Sequence, residues 1–307
     1  MSPLRQALAD YLAVRRVLGY KLARPEKLLA QFLGYIETRG EDHLTIAAAL
    51  AWATLPQDAH PSWLSTRLSV VRQFAVHLRG IDPATEVPPT DLLPGRNRRA
   101  TPYLYSGEEI ATLMTAAATL HGTHRQATYR ALIALLAVTG MRVGEAISLD
   151  RDDVDLIGGL VTIRNGKFGK SRSLPLHPTT VTAIGDYLGR SDRPHQPKSQ
   201  ALFISPAGTR LLYCNVQCTF HQLVGRCGLK PRSAACRPRI HDIRHGFAVN
   251  TLLDSYRDGG DPVARLALLS TYLGHVDPGK TYWYLSAAPE LLKLAGAQLE
   301  RHLGGGA

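Results

Sequence analysis

Leu273-Gly274-His275-Val276-Asp277-Pro278-Gly279-Lys280-Thr281-Tyr282-Trp283-Tyr284 is the stretch on which the reading of this chain turns. Upstream of it stand a helix-opening His241-Asp242-Ile243-Arg244 and, earlier still, Thr139-Gly140-Met141-Arg142. Taken singly, each piece has an ordinary structural explanation. An arginine at a helix start is usually a surface charge, and a histidine at a helix end is favoured by the negative pole of the dipole. His241, Arg244 and His245 share one helix face. The spacing of the two histidines also fits a zinc-protease helix, but Asp242 stands where that site needs Glu, and Arg244 would set a cation beside the metal. The order and spacing of the three pieces together carry the information.

The 307 residues suffice for two domains, and 45% hydrophobic content excludes a disordered chain. Lys and Arg number 36 against 25 acids, a formal charge of +11 that favours a polyanionic partner. Basic residues cluster at Arg96-Asn97-Arg98-Arg99 and again at Arg226, Lys230, Arg232, Arg237, Arg239 and Arg244. The first helix pattern is broken by Arg5, Asp10, Arg15 and Arg16, so it is no signal peptide, and no apolar run approaches the ~20 residues that span a membrane. A cytoplasmic location is expected. All four cysteines lie between 214 and 236 without a Cys-x-x-Cys pair, and they read as reduced core thiols rather than a metal site.

Residues 1–80 carry apolar positions at helical spacing: Leu4, Leu8, Tyr11 and Leu12, then Leu28, Leu29, Phe32, Leu33 and Ile36, then a stripe from Trp63 to Leu78 opposite Arg67, Arg72 and Arg79. Proline-rich residues 82–102 read as a linker. From Tyr105 the pattern is mixed. Ser106 with Glu109 offers a helix start, and Tyr129–Val138 is an apolar helix ending at Thr139-Gly140. Leu160–Arg164 and Arg172–Leu176 read as two strands around a turn holding Lys167, with a further strand at Ala201–Ser205 and helices at 178 onward, 214–228, 241–257, 262–273 and 285–302. The fold class expected is mainly α with a small antiparallel β-sheet, divided into a helical domain at 1–95 and a mixed domain at 103–307.

This order of motifs resembles the tyrosine recombinase (phage integrase) family, most closely the recombinases and transposases of mobile elements. In that family the nucleophilic tyrosine lies nine residues beyond the histidine of Leu-Gly-His, which selects Tyr284 over Tyr282. The resemblance implies a two-domain architecture of a core-binding, DNA-clamping helical domain and a mixed catalytic domain, with no additional arm-binding domain. It implies a site-specific recombinase that breaks and rejoins double-stranded DNA at recombination sites through a 3′-phosphotyrosyl intermediate and a four-way junction. No cofactor, metal or membrane enters. The enzyme is expected to work as a homo-tetramer on DNA, alone or with sister recombinases, in integration or transposition.

The chemistry suits the residues. An in-line displacement at a phosphodiester adds charge to the non-bridging oxygens, and a metal-free site must meet it with fixed cations. Arginine binds two oxygens at once and stays protonated. The resemblance assigns Arg142 and Arg244 to grip the scissile phosphate, His275 to hydrogen-bond it and His241 to assist proton transfer. Gly166-Lys167 matches the hairpin lysine that protonates the leaving 5′ oxygen, and Glu145 orients Arg142. DNA contacts are expected from Arg67, Arg72, Arg96, Arg98, Arg99, Lys170, Arg237 and Arg239. The C-terminal segment from Pro289 has an apolar stripe that either folds back on its own domain or, as the resemblance implies, docks on a neighbouring protomer. Two rivals remain: a type IB topoisomerase with the same residue inventory, and a DNA-binding accessory protein with a decayed site.

Overall fold

The computed structural model describes residues 2–94, 100–164, 171–258, 261–274, 290–294, 296 and 300. The chain separates into two compact units, Met1–Arg99 and Ala100–Ala307.

The first unit is a bundle of helices α1 (Pro3–Val17), α2 (Ala23–Thr38), α3 (Ile46–Thr54) and α4 (Pro61–Leu78). Ser2 caps α1 by accepting the Arg5 N–H, and Pro3 opens the helix with its φ already set. Leu29, Phe32, Leu33, Ile36, Val71 and Phe74 are fully enclosed. Each such side chain contributes roughly 1.5–3 kcal/mol of burial. Helix α3 was not expected. Its run Ile-Ala-Ala-Ala-Leu-Ala-Trp-Ala-Thr shows no polar face, and its start is marked only by Thr45, which accepts from the Ala48 N–H.

Two features of this unit differ locally from the sequence pattern. Arg67, expected on DNA, is turned into the bundle: it is 8% exposed, donates through Nη2 to the Trp52 carbonyl at 2.7 Å, and lies 3.8 Å from the centre of the Trp52 ring. The α3 tryptophan covers what the α4 pattern offered as a polar face. The first part of the 82–102 segment is likewise no free linker. Glu86 donates its N–H to the Leu44 carbonyl and accepts from the Ile46 N–H, while Val87 and Leu93 pack on the bundle core. Arg72 fastens this strap by donating to the carbonyls of Pro88 (2.8 Å) and Pro89 (2.7 Å), so its guanidinium is engaged by the protein itself.

The second unit opens with α5 (Gly107–Ala116), where Ser106 and Glu109 form a capping box. Helix α6 (Thr123–Thr139) runs through its core, with Leu132, Ile133, Leu135 and Leu136 all buried. Then come α7 (Val143–Ser148) and the antiparallel sheet β1 (Val154–Asp155), β2 (Leu160–Ile163) and β3 (Arg172–Pro175), in that spatial order. Leu160 pairs with Pro175 and Ile163 with Arg172. Helices α8 (Pro178–Leu188), α9 (Tyr213–Arg226), α10 (Asp242–Arg257) and α11 (Pro262–Leu273) follow.

Strand β1 is too short to show a period and was not expected. Ala201–Ser205 is not a strand; Ala201 and Ile204 make isolated bridges with Asp150 and Arg210. The cysteines are free: Cys236 is buried and Cys227 half-buried against the same core, whereas Cys214 and Cys218 are exposed. Of the expected tail helix, 290–294, 296 and 300 are described: Leu291 is buried with α10 and α11, and Glu290 pairs with Arg257 at 2.8 Å. That portion folds back on its own unit. No helix among the described residues is long and apolar enough to cross a membrane.

Candidate active site

Helix α6 ends on Gly140 in the left-handed conformation (φ 59°). A side chain there is doubly excluded, because a Cβ would lie 2.3 Å from Cδ1 of Phe247 on α10. This close approach sets the start of α10 against the turn that delivers Met141 and Arg142. Glu145 then closes the first turn of α7: Oε2 accepts the Arg142 backbone N–H at 2.9 Å, and Oε1 accepts Nη1 of the same residue at 2.7 Å. The Arg142 side chain stays about a quarter open (28%), whereas that of Glu145 is 8% exposed.

Arg244 lies inside α10, 3% exposed. Its Nη1 donates to the Gly140 carbonyl at 2.8 Å and its Nη2 to the Leu273 carbonyl at 2.7 Å. One guanidinium thereby ties the turn before Arg142 to the end of α11. Helix α11 terminates on Gly274, again left-handed (φ 67°), one residue before His275.

Arg172 of β3, which the sequence pattern marks only as a strand residue, belongs to this constellation. Its Nη2 and Nη1 donate to Glu145 at 2.8 and 3.2 Å, and its Nε donates to the Tyr272 carbonyl at 2.9 Å. Glu145 is pushed toward the neutral form by burial, but the hydrogen bonds from Arg172 and Arg142 outweigh this and hold its carboxyl below the usual range. The signal for Arg172 was available in the strand register: it shares the inward side of β3 with buried Leu174.

His241 immediately precedes α10. Its ring keeps an open edge, yet the bulk of protein around it, then Arg244, Arg142 and Arg239, disfavour its protonation, with Asp242 opposing them. It is therefore held below the ordinary histidine pKa. Its ring meets that of His245 edge-on at 5.0 Å. Asp242 is fully buried and accepts a two-point ion pair from Arg239 at 2.8 and 3.0 Å. Arg239, expected on DNA, thus serves the start of α10. Arg237 is exposed. Lys167, Lys170, His275, Tyr284, Arg96, Arg98 and Arg99 lie outside the described residues.

The arrangement gathers Arg142, His241 and Arg244 at one junction of α6, α7, α10 and α11. Two arginines with a neutral imidazole beside them suit a dianionic transition state. Residues 104–290 match the Phage integrase family. The chain is 44% identical to the putative integrase/recombinase y4rB of Sinorhizobium fredii (strain NBRC 101917 / NGR234), over 98% of each chain. It is 27% identical to tyrosine recombinase XerC of Yersinia pestis, over 92% of this chain and 90% of that one. Among solved structures, the Tn1549 transposon integrase in complex with a circular intermediate DNA shares the fold with a TM-score of 0.68 at 16% identity, covering 98% of this chain and all of that one. The chain belongs to the phage integrase family and is a tyrosine-recombinase enzyme.

Proposed function

We propose that this enzyme is a site-specific DNA recombinase that acts through a 3′-phosphotyrosyl intermediate, with the first unit clamping DNA and the second performing the chemistry. The Tyr284 oxygen attacks the scissile phosphorus and the bond to the 5′ oxygen breaks. The phenol proton passes to neutral His241, and Lys167 supplies a proton to the leaving 5′ oxygen. Arg142, Arg244 and His275 meet the charge that develops on the non-bridging oxygens, the largest catalytic contribution in sites of this kind. The 5′-hydroxyl of a partner strand then attacks the phosphotyrosine and releases Tyr284, so the phosphodiester is restored without ATP. Four protomers on two sites would carry the two exchanges through a four-way junction.

The observation that carries this reading is the double donation of Arg244, which links the turn before Arg142 to the helix end before His275. A role in integration or transposition is supported by the likeness to an integrase/recombinase and to a transposon integrase. The test is a plasmid carrying two copies of the DNA that flanks the gene. Recombinant circles are expected. Relaxation of a plasmid with no such site, without recombinants, would instead favour a type IB topoisomerase.

A further inference from the structure

The carboxylate of Glu145 receives four N–H donors, two from Arg142 and two from Arg172. That exhausts its lone pairs. The cluster of two guanidiniums and one carboxylate keeps one net positive charge. Of the two cations, Arg142 is the more open (28% against 16%), so the unbalanced charge is presented there. Arg172 also donates through Nε to the Tyr272 carbonyl, and its Nη1 would lie 2.9 Å from a Cβ at Gly274. A single side chain from β3 therefore touches both the carboxylate that holds Arg142 and the backbone that ends α11.

We propose that Arg172 is a positioning residue: by sharing Glu145 it leaves Arg142 cationic and aimed at the phosphate, and by bonding Tyr272 it fixes the α11 terminus that leads to His275. The inference rests on the recombinase reading above. Arg142 paired alone with Glu145 would form a neutral, self-satisfied ion pair with little pull on an anion. Lysine at 172 would restore the charge but not the three donor directions. Among the described residues, the charged groups that contact Glu145 are Arg142 beside it and Arg172 from β3.

The test uses the full-length protein and a nicked suicide DNA substrate, comparing wild type, Arg172→Met, Arg172→Lys, Glu145→Gln and the Arg172→Met/Glu145→Gln double variant. At saturating DNA, Arg172→Met should cleave at least tenfold more slowly than wild type, with DNA affinity changed less than about threefold; Arg172→Lys should fall between the two. The Arg172→Met rate should also rise on acidification over a pH range in which wild type does not, because Glu145 loses the donors that oppose its burial and its protonation gives the Arg142 cluster back its positive charge. That added acid limb should vanish in the double variant, whose loss should not exceed the larger single one. A merely structural arginine would lower the melting temperature without moving the pH profile. Wild-type cleavage and an unshifted profile in Arg172→Met, or fully additive losses in the double variant, overturn the proposal. If Arg172→Met does not fold, Arg172→Lys decides it by the same two readouts. No adduct with wild type itself would instead bring down the recombinase reading.

Discussion

Arg244 and Leu273 are joined by a buried hydrogen bond of 2.7 Å, guanidinium to backbone carbonyl, while the same guanidinium donates to Gly140 at 2.8 Å. The side chain thus has a structural task besides its proposed one on the phosphate. Arg244→Ala leaves both carbonyls without this donor, and a buried unsatisfied group costs about 1–3 kcal/mol. Loss of the cation should slow DNA cleavage about a hundredfold or more. Arg244→Lys should recover some stability and little rate, because one ammonium cannot reproduce the fork. Urea melts and single-turnover cleavage on the same samples separate the two effects.

Gly140 tests the framework alone. Alanine there adopts a left-handed backbone and meets the Phe247 ring, so Gly140→Ala should destabilise the protein by about 2–3 kcal/mol, from strain and overpacking together. Adding Phe247→Leu should recover part of this loss. Equal melting of Gly140→Ala and wild type would mean that the α6–α10 approach is looser than described.

The family was legible because the Arg142, His241-to-Arg244 and His275 motifs follow one another in order, with Tyr284 nine residues beyond His275. What could not be read was which cations the protein keeps for itself. Arg67 and Arg72 look like a solvated face on a helix pattern, and only the unexpected α3 and the strap at 82–94 reveal that both are engaged by backbone carbonyls. Helix α3 escaped notice because alanine is small and apolar on every side, leaving no stripe to recognise. For Arg172, the alternation of β3 gives the inward side it shares with Leu174 but not its partner Glu145, which stands on α7 27 residues earlier.

That reassignment is itself testable. Arg67→Ala should cost about 1–3 kcal/mol through lost packing on Trp52 and an unpaired carbonyl. Arg72→Ala should free the strap and expose residues 86–93 to proteolysis. In either folded variant the salt dependence of DNA binding should match wild type. A slope reduced by about one would return the residue to the DNA interface.

His241 gives a pH signature. Its folded pKa is lowered by the surrounding protein and by Arg244, so below the ordinary value of 6.5 the unfolded chain binds more protons than the folded one. Stability should accordingly fall as pH drops from 6.5 toward the lowered value. His241→Gln should flatten that decline in part, since buried His124 is depressed in the same way. Cleavage by wild type should persist to a lower pH than an ordinary histidine would allow. A stability profile identical in His241→Gln and wild type would contradict the assignment.

Covalent chemistry at Tyr284 is tested by trapping on a nicked suicide substrate followed by mass mapping of the peptide on the 3′ phosphate. Wild type and Tyr282→Phe should both yield the adduct, on the peptide containing Tyr284, and excess EDTA should not prevent it. Tyr284→Phe should bind the same DNA and form none. An adduct that survives in Tyr284→Phe, or one that maps to Tyr282, would contradict the account.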